Sequence, residues 1–146
     1  MDLNLNQDIH KLMADTENFK QLLKKLEQDQ AVWARKHEEK DLEKVINCVK
    51  RLEFDLSTTM SDCACLAHQE ESNVVGVDLH HAFSGLNALF KDLKKVSADL
   101  SGSYIHRGDL DHMEIDWGRF SKTVGQIQKH LQGGENRLRE KEGKRI

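Results

Sequence analysis

Proline is absent from this sequence, and all nine glycines lie from Gly76 onward. Proline stops a helix by ring clash and by its missing amide hydrogen, and glycine weakens one through backbone entropy. Residues 1–75 therefore carry neither strong breaker and are free to be helix almost throughout. Aromatics are scarce at 5%, and apolar residues reach 38% against a usual ~45 to 50%. Charged residues make up 32% against about 25%, the balance of long helices with narrow apolar seams rather than of a thick core. No window approaches ~18 consecutive apolar residues, which argues against a membrane-spanning helix. The opening Met1-Asp2-Leu3-Asn4-Leu5-Asn6 lacks both the positive start and the apolar stretch of a secretory signal, so the chain as given is expected to be soluble and not self-secreting.

No sign of charge dominates. Basic residues number 22 and acidic residues 25, interleaved along the chain for a net charge of -3, which argues against a clustered basic face for nucleic acid. Cysteine is limited to Cys48, Cys63 and Cys65, an odd number that cannot all pair, and Cys63 and Cys65 are too close along one helix to bridge well. A reducing, cytoplasmic compartment fits. Cys63-x-Cys65 with His68 is not expected to hold a metal, because residues two apart point to different helix faces and the paired C-x-x-C spacing is missing. The thiols are expected to be buried or inert.

What the sequence does contain is heptad spacing. Ile9, Leu12, Thr16, Phe19, Leu23, Leu26, Gln30 and Trp33 form a first seam at alternating intervals of three and four. A second runs Leu42, Val45, Val49, Leu52, Leu56, Thr59, Cys63, and its shifted phase predicts a bend or short turn within residues 36–41, with Asp41 a weak helix start. The polar stretch Glu70-Glu71-Ser72-Asn73 and Gly76 predict a turn, with Asp78 as N-cap of a third helix. That helix carries Leu79, Phe83, Leu86, Phe90, Leu93, Val96 and Leu100, and Gly102 is expected to close it in the left-handed conformation. After a loop from Tyr104 to Leu110, Asp111 and Glu114 form a reciprocal cap for a fourth seam of Met113, Trp117, Phe120, Val124, Ile127 and Leu131. Gly133-Gly134 is expected to end or interrupt it. The charged residues 135–146 follow as a frayed extension.

The most specific local feature is Leu79-His80-His81-Ala82-Phe83-Ser84-Gly85-Leu86, where a helical histidine is followed four residues on by glycine on the same face. Over about ten residues it resembles the H-x-x-K-G signature of histidine-phosphotransfer domains, with His81 and Gly85 matching and Phe83 at the apolar position. The resemblance implies a four-helix bundle with His81 as phospho-acceptor and Gly85 clearing space above it. Ser84 stands where the family has a basic residue that helps hold the phosphoryl charge, and Leu86-Asn87-Ala88-Leu89 replaces its small-residue run. The remaining histidines are spread without the i, i+4 pairing of a helical metal site. Arg107-Gly108-Asp109 matches an integrin-recognition tripeptide, but an extracellular role conflicts with the odd thiols, and a plain turn is expected there. Lys91, Lys94 and Lys95 could face anionic lipid, as in membrane-sculpting helical dimers, with Asp92, Asp99, Glu140 and Glu142 diluting the field. No nucleophile with a base partner, no phosphate-cradling loop and no paired catalytic carboxylates are identifiable.

The expectation is an all-α protein of long antiparallel helices, either a four-helix bundle or an elongated coiled-coil-like hairpin assembly. Residues 1–134 form one helical domain and residues 135–146 a charged extension. Leu23, Trp33, Leu52, Phe83, Phe90, Trp117 and Phe120 are its predicted core. The expected function is non-enzymatic: a helical interaction or scaffold module, assembling through its seams with another helical chain or with itself as a homodimer, without cofactor, metal or nucleic acid. Phosphotransfer through His81 is the first alternative, and a membrane-surface-binding dimer the second.

Overall fold

Seams of this length must each find a facing seam, and in the structure they find one another within the chain. The structure, a computed structural model, describes the backbone of residues 3–70, 74–102 and 105–144 and the side chains of residues 5–70, 74–102 and 105–131. It is all-α, with no strand among the described residues: α1 spans Leu3–Lys36, α2 Glu39–Gln69, α3 Val74–Ser101 and α4 Arg107–Lys144. Each helix packs on its neighbour in sequence and α4 closes back on α1, while the diagonal pairs do not meet, which gives an up-down-up-down bundle. The antiparallel register of α1 and α2 shows in Lys11 bonded to Asp62, Asn18 to Asp55 and Cys48 to the Leu22 carbonyl. Of the two expected arrangements, the chain adopts the four-helix bundle.

The first, second and fourth seams become core with little change. Ile9, Leu12, Phe19, Leu26, Val45, Leu52, Leu56, Cys63, Met113, Phe120 and Ile127 are all essentially inaccessible. α3 departs from its expected stripe. Its buried apolar side chains are Val75, Leu79, Ala82, Leu86, Leu89, Leu93 and Val96, and Phe83, Phe90 and Leu100 sit half-buried at the flanks. This helix packs on α2 on one side and α4 on the other, so the face between them takes the small Ala82 and Gly85, and the rings cover its edges. Phe90 carries the Lys94 ammonium 5.1 Å from its ring centroid, an arrangement an edge position permits. Trp117 is also half-buried, and its indole N–H donates to the Thr16 carbonyl at 2.9 Å across the α1–α4 seam.

Helix ends differ from expectation more than helix interiors. The bend expected within residues 36–41 is a two-residue turn, His37-Glu38, and α2 already begins at Glu39, which leaves Asp41 buried in its first turn rather than at its start. His37 has φ 52 and donates its N–H to the Trp33 carbonyl at 2.8 Å, a left-handed helix closure without glycine. α3 starts at Val74, so Asp78 is not an N-cap but an interior residue, and its carboxylate is satisfied by His130 of α4 instead of by backbone amides. Residues 71–73 of the expected turn lie outside the described residues. Gly102 donates its N–H to the Asp99 carbonyl in a tight last turn and does not take the left-handed conformation expected of it. α4 begins at Arg107, so Arg107-Gly108-Asp109 is its first turn rather than a loop. Asp111 bonds Arg107 at 3.4 Å inside the helix and does not form a cap with Glu114. Gly133-Gly134 does not end α4, which continues to Lys144, because glycine costs a helix only about 1 kcal/mol at each site.

Two substitutions check this packing. Leu52→Ala and Phe120→Ala, each at a fully buried seam position, are expected to lower unfolding free energy by about 2 to 5 kcal/mol in chemical denaturation. His37→Gly relieves a side chain held in the left-handed region and is expected to raise stability by about 1 kcal/mol, read as an upward shift in Tm.

Candidate functional site

The sequence-predicted site residues fall on different faces. His81 is exposed on α3. Gly85, one turn on, is half-buried, and a Cβ built there would lie 3.4 Å from the Cβ of Phe120. The glycine thus has a packing reason of its own: it lets the α4 backbone approach α3. Cys48 and Cys63 are buried, their thiols directed at the Leu22 and Leu79 carbonyls, and burial pushes them up to about 11 and about 12, out of reach of thiolate chemistry near neutrality. Cys65 is exposed, on another face from Cys63. Among the described residues no group of three or more histidine, cysteine, aspartate or glutamate side chains is placed to hold a metal ion. No helix of the described residues is long and apolar enough to cross a membrane.

What the fold does assemble is a set of carboxyl pairs along the first third of α4. Glu114 meets Glu27 of α1, while Asp116 and Asp109 meet Asp92 and Asp99 of α3. Two carboxylates in contact repel unless one proton lies between them, and a buried pair holds that proton strongly. Asp92 is only 7% exposed, and burial, the hydrogen bond with Asp116 and that neighbour's charge together push its carboxyl up to about 7. Glu27 is also pushed up to about 7, first by its hydrogen bond with Glu114, then by burial and by Glu114's charge. Asp109 is raised chiefly by its hydrogen bond with Asp99. Asp92 Oδ2 and Glu27 Oε1 are buried without a hydrogen-bond partner, as are Asp29 Oδ2 and Asp41 Oδ2. Basic groups lie at the margins: Arg107 and Lys95 oppose the shifts, Arg119 reaches Asp116 at 3.7 Å, and His106 donates its backbone N–H to Asp99 at 3.2 Å.

A second assembled surface is the outer groove between α1 and α2. Cavities of about 160 and 250 Å³ adjoin there at Lys11 and Asp15, and four aspartates, Asp8, Asp15, Asp55 and Asp62, line them against Lys11 and Arg51. Both cations are engaged locally, Lys11 with Asp62 at 2.7 Å and Arg51 with Asp55 at 3.1 Å. Asp15 accepts from the Thr59 hydroxyl at 2.9 Å, and burial raises its carboxyl despite that bond. At one end stands Phe54, 71% exposed, the most exposed large apolar side chain among the described residues.

No protein-family model matches this chain, and no curated protein or solved structure matches it either. The site must therefore be read from its own geometry. The carboxyl pairs had no signal in a local reading, because each joins residues on different helices. Phe54 did have one: it falls between the seam positions Leu52 and Leu56, so an aromatic there is left facing outward.

The pairs make stability depend on pH with a definite sign. In the unfolded chain Glu27 and Asp92 release their protons near ~4, whereas in the folded chain both are pushed up to about 7. Between those limits the folded state binds more protons, so this contribution to stability is fully present below the unfolded value and is lost as pH rises through the folded one. Asp92→Asn supplies an amide donor to Asp116 that needs no proton. It is expected to raise unfolding free energy by about 1 to 3 kcal/mol near pH ~8 and to flatten the slope of Tm against pH.

Proposed function

We propose that this chain is a non-enzymatic helical interaction module that receives a basic helical segment of another protein in the groove between α1 and α2. The observation that carries this reading is Phe54, an exposed aromatic at the end of a groove lined by four aspartates and only two cations, both already bonded. An apolar anchor with an acidic flank suits an amphipathic partner helix that presents lysine or arginine beside an apolar stripe. The heptad seams are engaged inside the bundle, so docking that leaves the fold intact falls to outward faces such as this one. Phosphotransfer through His81 keeps one supporting observation, the exposure of that side chain on a four-helix bundle, and acid-labile labelling lost in His81→Gln tests it.

Titration of the isotope-labelled protein with a Lys/Arg-rich amphipathic helical peptide tests the main reading. Amide shifts are expected to cluster in residues 8–18 and 51–62. Affinity is expected to fall at least about tenfold in Phe54→Ala and to weaken with added salt. Shifts scattered over all four helices, or an affinity unmoved by Phe54→Ala, contradict the groove as the docking surface.

A further inference from the structure

We propose that the segment seated in the α1–α2 groove is the far end of α4, residues 137–144, supplied by a second copy of this chain, so that two copies join reciprocally, each placing its α4 end in the other's groove. The proposal rests on that groove being a docking surface and names its occupant. The first observation behind it is an overhang. α4 runs fourteen residues past His130, which bonds Asp78, whereas the antiparallel α3 has only four residues before Asp78. α1 has thirteen residues before Thr16, whose carbonyl accepts from Trp117, and so begins near the level of His130. α4 packs on these two helices alone, and Leu131 is its last buried side chain among the described residues. Its last ten residues or so therefore run past the starts of both neighbours, for roughly 15 Å at 1.5 Å per residue.

The second observation is the sequence of that overhang. Residues 137–145 contain Arg137, Arg139, Lys141, Lys144 and Arg145 against Glu140 and Glu142. At the helical period Arg137, Lys141, Lys144 and Arg145 share one face with Leu138 at its edge, and both glutamates fall outside it. That is a basic stripe beside an apolar residue, the chemistry the groove suits. The third is the groove itself. Its cations Lys11 and Arg51 are bonded to Asp62 and Asp55, which leaves Asp8 and Asp15 without an ion pair among the described residues, and Phe54 offers an apolar surface for Leu138. Along α1 the lining runs from Asp8 to Asn18, roughly 15 Å, the length of the overhang.

The occupant comes from a second copy because α2 lies diagonally across from α4, and α4 is one helix to Lys144. Reaching its own groove would require that helix to break and fold back. The groove reaches Leu66 and Gln69 at the end of α2, the same end of the bundle from which α4 projects. A two-fold axis beyond that end brings each overhang to the other copy's groove, and the contact closes on itself.

Molar mass from light scattering over a concentration series of the full chain tests the proposal. The wild-type chain is expected to pass from monomer to dimer, with a dissociation constant that rises at least about tenfold between about 50 mM and about 300 mM salt. Arg137→Glu/Lys141→Glu/Lys144→Glu and Asp8→Lys/Asp62→Lys are each expected to stay monomeric. An equal mixture of the two is expected to recover the dimer, because each supplies the charge the other now needs, a recovery that misfolded variants cannot give. A wild-type chain monomeric throughout, a dimer that survives in either variant, or a mixture that stays monomeric overturns the second copy as occupant. Titrating the isotope-labelled Arg137→Glu/Lys141→Glu/Lys144→Glu chain with the Lys/Arg-rich helical peptide separates this failure from failure of the groove. Shifts in residues 8–18 and 51–62 without a wild-type dimer leave the groove standing and overturn only its occupant, and their absence overturns both.

Discussion

The bundle closes around Phe120. Its backbone lies against Gly85 of α3, where no side chain intervenes, and its ring reaches Phe19 of α1 with centroids 6.3 Å apart and planes tilted by 46°. One residue of α4 thereby fixes the distance to both neighbours, and a close approach on one side requires the smallest residue there. Among the described residues the α1–α4 seam is the sparsest of the four, and the Phe19–Phe120 ring contact and the Trp117 bond to the Thr16 carbonyl cross it.

From Phe120 the two directions along α4 have opposite character. Toward Leu131 the helix is held by apolar side chains and by an acid–base pair. Toward Arg107 it is held by apolar side chains in opposition to acids that face acids. A stable fold tolerates carboxyls in contact while a proton bridges them. The acidic groove lies on α1 and α2, away from the start of α4. Glu27 and Asp15 both belong to α1, the one helix that takes part in both.

The parts of the fold legible in the sequence were those that depend on spacing within one helix. Intervals of three and four located Phe19, Leu52, Phe120 and most of the core, because a straight helix turns the same face inward at those steps. α3 was rotated from its expected stripe because a seam drawn through the largest residues selected Phe83 and Phe90 over Ala82 and Leu89. Helix ends were misread wherever a side chain had a tertiary partner: Asp78 looked like a cap but belongs to His130, and Glu114 looked like half of a capping box but belongs to Glu27. Short sequence windows contain the donor or the acceptor, not both. The acidic groove between α1 and α2 and the carboxyl pairs, each built from residues of different helices, were not legible at all.

Carboxyl-carbon NMR of the labelled protein measures most directly whether protons are held between acids along α4. Signals from Glu27 and Asp92 are predicted to titrate near 7, apart from the bulk of side-chain carboxyls. If every aspartate and glutamate instead titrates near its ordinary value of ~4, no proton is shared and the account of α4 is wrong.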